Sequence, residues 1–168
     1  MRPDPDRRRR RLEGRRRRLP PRRAVARRLR GPAPARARPA GVHGRSGMSQ
    51  TVLCVDDSRT MRRMLKMTLE DGGYTVLEAE DGLLGLEVLK TATPDVIVTD
   101  INMPNMDGFG FIEAVRGENR FAGVPILVLT TESDRTLKER ARGLGATGWI
   151  TKPFEQNRLV EVVRRVAA

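Results

Sequence analysis

Residues 48–168 predict an α/β domain: a doubly wound, five-stranded parallel sheet with five helices. Three observations carry that prediction. Five short apolar runs recur, and several of them are Val, Ile and Leu runs without polar alternation, as strands buried on both faces require. Stretches with helical apolar spacing separate them. Capping acids and hydroxyls, and stop glycines, fall at the junctions. Strand and helix alternating five times imply right-handed crossovers, with helices on both faces of the sheet.

In chain order, "TVLCV" 51–55 reads as the first strand, and residues 58–71 as a helix with Met61, Met64, Leu65 and Leu69 on one face. Ser58 or Asp57 is its expected cap, Gly72-Gly73 its stop. Met67 and the other helix methionines are expected to pack rather than to bind a ligand. "YTVLEA" 74–79 is the second strand, and Asp81 caps the next helix. "DVIVT" 95–99 is the third strand, and Asp107 caps the third helix. "PILVLT" 125–130 is the fourth, followed by a helix capped by Ser133 or Asp134 and stopped at Gly143 or Gly145. "TGWI" 147–150 is the fifth. The last helix shows Leu159, Val162, Val163 and Val166 at i, i+3, i+4 and i+7.

The first 47 residues have another character. They hold 18 Arg, no Lys and three acids, net +15, whereas 48–168 carry 15 basic and 18 acidic residues, net −3. Their Arg, Pro, Ala and Gly show no sustained apolar period, so disorder is expected. An abrupt break at Met48, followed by "SQTVLCVDD", reads as the true start of the protein behind a mis-assigned one. The competing reading is a tail that binds nucleic acid with steep salt dependence. No nucleic-acid contact is expected of 48–168.

Other function classes recede. Cys54 is the single cysteine, placed in a strand-like run as a small buried hydrophobe, so neither an internal disulfide nor a cysteine metal cluster is available. His43 is the single histidine and lies in the Arg-rich segment. No apolar run approaches a membrane span, and none follows the basic start as a secretory signal needs, so a cytoplasmic location is expected.

In a doubly wound sheet, ligands bind beyond the carboxyl ends of the strands. The first strand ends in Asp56-Asp57, the third in Asp100, the fourth in Thr130-Thr131, and the fifth runs into Lys152-Pro153. Singly, Asp57 reads as a helix cap, Asp100 as a solvated strand end and Lys152 as a surface charge. Together they are three acids, a hydroxyl and an ammonium on one edge. Two carboxylates ~4 Å apart repel by about 4 kcal/mol at an effective dielectric near 20. One lysine does not offset three acids, and an all-oxygen site of this kind suits Mg²⁺.

These motifs carry a resemblance. "VDDSRTMRRML", "VTDINMPNMDG", "LVLTTES" and "GATGWITKPF" resemble, in order and spacing, the receiver domains of bacterial two-component response regulators, above all single-domain chemotaxis regulators of the CheY type. The resemblance implies strand order 2-1-3-4-5, Asp100 as phosphoacceptor, and Mg²⁺ held by Asp56, Asp57, Asp100 and the Asn102 carbonyl. It implies that Lys152 and Thr130 bind the phosphoryl group, that Trp149 fills the aromatic switch position where Tyr or Phe is usual, and that Lys152-Pro153 is cis. Trans is the expectation from sequence alone. Thr131 stands where a small residue is common and is expected to slow access of water and small phosphodonors.

The implied function is a phosphorylatable signalling switch. A chemotaxis-type histidine kinase supplies the phosphoryl group, and a partner such as a flagellar motor switch protein docks in response. The chain ends directly after the fifth helix, so output through docking is expected. A phosphorelay intermediate is an alternative. A Mg²⁺-dependent hydrolase with Asp100 as nucleophile is a rival of another class, but Asn102 stands where such enzymes place a second acid.

Overall fold

The computed structural model describes residues 49–168. The expectations for residues 1–47 lie outside the described residues. Strands β1 (Thr51–Val55), β2 (Thr75–Ala79), β3 (Val96–Thr99), β4 (Ile126–Thr130) and β5 (Gly148–Thr151) alternate with helices α1 (Arg59–Asp71), α2 (Gly82–Thr91), α3 (Gly108–Arg116), α4 (Arg135–Gly143) and α5 (Gln156–Val166). A 3-10 turn, Asn119–Phe121, follows α3. All neighbouring strands are parallel, in the order β2-β1-β3-β4-β5.

Because successive strand residues face opposite sides, an apolar run without alternation must be covered twice. Leu53, Val55, Ile97, Ile126 and Val128 pack with Leu89 of α2, Phe111, Ile112 and Val115 of α3, and Ala141 of α4. The intervening Val52, Cys54, Val96, Val98, Leu127 and Leu129 pack with Leu65 and Leu69 of α1, and Leu159 and Val163 of α5. Cys54 is fully buried, and burial pushes its thiol well above the usual range.

Where two residues compete for a cap, the geometry chooses. Ser58, not Asp57, accepts the Met61 N–H and caps α1; Asp134, not Ser133, caps α4. Asp81 and Asp107 cap α2 and α3. β5 starts one residue later than its apolar pattern suggests, because the Thr147 hydroxyl accepts the Ile126 N–H and stays outside the strand. Met67 departs from its expected packing role: it is 57% exposed, since α1 buries the stripe Arg62, Leu65, Thr68 and Leu69 instead.

Candidate functional site

From β1 the chain crosses outward in one direction to β2, then returns past β1 to β3, so the crevice between the ends of β1 and β3 lies where strand order reverses. Asp56 and Asp57 follow β1 on one side of it, and Asp100 follows β3 on the other. One oxygen from each of the three carboxylates can be chosen such that all lie within 4.8 Å of one another.

Lys152 crosses the crevice. Its Nζ donates to Asp56 Oδ2 at 2.7 Å and to Asp100 Oδ2 at 2.8 Å, with its side chain 9% exposed. The second oxygen of Asp56 accepts the Ser58 N–H, and the second oxygen of Asp100 accepts the Ile101 N–H. Asp57 is exposed, and its carboxylate has no hydrogen-bond partner among the described residues. Lys152 is thus not the surface charge that it resembles when taken singly: two acids draw it in, and the Lys152-Pro153 peptide is cis, not trans.

Burial pushes the Asp56 carboxyl above its ordinary range, and the nearby Asp100 charge adds to the push. The Lys152 ammonium and the Ser58 N–H pull it back only in part. Burial opposes the charge of Lys152 too, yet its bonds to Asp100 and Asp56 outweigh that and hold it above the usual lysine value. Three carboxylates and one ammonium leave the cluster at −2. A divalent ion would bring it to zero. The donors are all hard oxygens, and the unpartnered Asp57 carboxylate is available, so the residues fit such an ion.

The rim is built by two loops. Thr130, fully buried at the end of β4, accepts a long 3.4 Å contact from the Glu132 N–H, and its own proton meets no acceptor among the described residues. Asn102 is exposed, and its amide donates to Glu132 at 3.1 Å, joining the β3–α3 and β4–α4 loops. No N–H donates to the Asn102 carbonyl among the described residues. Trp149 is half-buried on β5, with its indole N–H on the Glu132 carbonyl at 3.2 Å and Lys138 6.0 Å over its ring. Thr131 is exposed. Gly108 permits the loop's tight return, for a Cβ there would lie 2.1 Å from the Asp100 carbonyl.

Arg62 and Glu132 also belong to the site, though neither is among the strand-end residues that point to it. Arg62 carries a readable signal, since it lies three and seven residues before Leu65 and Leu69 on the buried stripe of α1. Glu132 carries none.

Fold and crevice together define an α/β domain with an acid trio and a lysine at the switch point of its sheet. The chain belongs to the response regulator receiver domain family, which matches residues 52–164. It is 39% identical to the chemotaxis protein CheY of Pseudomonas aeruginosa over 116 residues, covering 68% of this chain and 94% of that one. It is 42% identical to the sensor histidine kinase CheAY of Helicobacter pylori over 116 residues, but spans only 14% of that protein's length. Among solved structures, CheY4 of Vibrio cholerae superimposes with a TM-score of 0.69 at 44% identity, covering 71% of this chain and 99% of that one. The chain is therefore a CheY-like receiver domain of two-component signalling, with chemotaxis proteins among its relatives. Among the described residues, no helix is long and apolar enough to cross a membrane.

Proposed function

We propose that this receiver domain is a phosphoacceptor switch. Asp100 takes a phosphoryl group from a phosphohistidine of a chemotaxis-type kinase, and the phosphorylated form docks on a partner protein, a flagellar motor switch component being the leading kind. The observation that carries this reading is the half-buried Lys152 bridge between Asp56 and Asp100, with Asp57 beside it and unpaired.

Each residue has a task. An Asp100 carboxylate oxygen forms the new P–O bond while the donor's P–N bond breaks, and the electron pair of that bond returns to the imidazole nitrogen. Asp56, Asp57, Asp100 and the Asn102 carbonyl would hold Mg²⁺, whose charge would offset that of the phosphoryl oxygens. Lys152 exchanges part of its bonding to Asp100 for a phosphoryl oxygen. Thr130 has a free proton to donate to another. Its movement would pull on the loop whose Glu132 carbonyl holds Trp149, and so reach the face formed by α4, β5 and α5.

The likeness to CheAY, a kinase whose matching segment is a small part of a longer protein, favours a second reading as a phosphorelay intermediate. Incubation with a phosphorylated chemotaxis kinase tests both. Label should leave the kinase and appear on this chain only when Mg²⁺ is free. Onward passage to a second histidine domain would select the relay, and no transfer from any such kinase would refute both.

A further inference from the structure

We infer that Arg62 is a positioning residue of the divalent-cation site, acting through the main chain of the acid pair; this rests on the reading of Asp56 and Asp57 as metal ligands.

The ladder between β1 and β2 ends with the Asp56 N–H on the Ala79 carbonyl at 3.1 Å. Beyond that rung the Asp56 and Asp57 carbonyls have no strand to pair with, and a buried carbonyl without a donor is costly. Arg62, in the first turn of α1, folds back and supplies the donors. Its Nη1 lies 2.8 Å from the Asp56 oxygen and 3.2 Å from the Asp57 oxygen. Its Nη2 is held by Glu80 Oε1 at 3.0 Å, and its Nε lies 4.0 Å from Glu78. The side chain is 9% exposed.

The consequence falls mainly on Asp57. Asp56 has Ser58 and Lys152 to fix its carboxylate, whereas that of Asp57 has no side-chain partner among the described residues and is aimed by its backbone alone. Arg62 holds the two successive peptide groups that set that aim. Arg62 and Lys66, the latter 3.3 Å from Glu78, balance the two acids Glu78 and Glu80, so Arg62→Lys keeps the charge of this layer and changes only the geometry of the donors. Nη1 serves both carbonyls while Nη2 is held by Glu80, so the planar guanidinium is fixed from two sides, which the single nitrogen of a lysine cannot reproduce.

Calorimetric Mg²⁺ titration of the metal-free wild type, Arg62→Met and Arg62→Lys tests the inference, at temperatures well below each unfolding midpoint. Both variants should bind Mg²⁺ about tenfold more weakly or worse, the usual effect of removing a residue that orients ligands. A structural role alone would lower the unfolding midpoint and leave the dissociation constant of the folded protein unmoved. Either variant binding within about twofold of wild type would overturn the inference. Where Arg62→Met fails to fold, the comparison of Arg62→Lys with wild type is decisive. A wild type with no Mg²⁺ affinity would instead overturn the metal assignment in the proposed function.

Discussion

Asp57 and Lys152 respond in opposite ways to the same crowding of charge. Asp57 sits in solvent with like charges at its back and no hydrogen bond to lose. Asp57→Ala should therefore raise the stability of the metal-free protein, by on the order of 1 kcal/mol after solvent screening, and abolish the further stabilisation given by Mg²⁺. Urea unfolding with and without Mg²⁺ reads both effects, and a variant that Mg²⁺ still stabilises as it does the wild type would remove Asp57 from the site. A pH dependence follows from Asp56. Its folded pKa is raised, so its contribution to stability is complete below the unfolded value of about 3.9 and is lost as pH rises through the folded value. Lys152, also raised, contributes below about 10.4 and loses that contribution as pH rises through its own folded value. As a ligand in the proposed site, Asp56 would bind Mg²⁺ in competition with its proton. The Mg²⁺-induced rise in Tm should thus shrink as pH falls from about 7 toward the raised Asp56 value, and a rise that stays constant over that range would count against the ligand role.

At the scale of elements, the loop between β3 and α3 is latched to α2. Asp81 accepts the Leu84 N–H with one oxygen and the Asn105 amide with the other at 2.7 Å, while Asn105 sits at φ 64°. These bonds hold Asp81 below the usual carboxylate range, so its contribution is present above the unfolded value of about 3.9 and is lost as pH falls through its folded value. Asp81→Ala should cost about 1 kcal/mol at neutral pH, the size of a lost cap, and much less in acid. Urea midpoints at the two pH values test this; an equal loss at both would show that the carboxylate charge is not involved. Most of the elements can be read from the sequence because their causes are local: the apolar runs, and Asp81 and Asp107 placed one residue before their helices. The Asn105 latch, the Arg62 bond to Glu80 and the Glu132 carbonyl under Trp149 cannot. Each joins segments that only the folded sheet brings together. Met67 escapes its expected packing because Arg62 and Thr68 occupy buried positions on the same helix.

Across the whole molecule, the reversal of strand order gathers the ends of β1, β3, β4 and β5 into one connected circuit. Lys152 touches Asp56 and Asp100 with its side chain and the Thr130 carbonyl with its backbone N–H at 2.8 Å. Trp149 precedes it by three residues on β5 and reports on the β4–α4 loop. Lys152→Ala should still take up a phosphoryl group, because in the proposed site a divalent ion would carry most of the offsetting charge. Phosphorylation of the wild type should change Trp149 fluorescence, and the variant should lose most of that change. An undiminished change would exclude Lys152 from the relay. The four strand ends are legible in the sequence as a set, through one residue type at each end, whereas their distances are not. In the proposed function, Asp100 is the group that carries the signal. Its most direct test is phosphoryl incorporation from a small acyl phosphate with Mg²⁺, followed by mass spectrometry of the intact and digested chain. The wild type should gain a single acid-stable, base-labile phosphoryl group on the peptide containing Asp100, and Asp100→Asn should gain none; incorporation in that variant at the wild-type extent would show that Asp100 is not the acceptor.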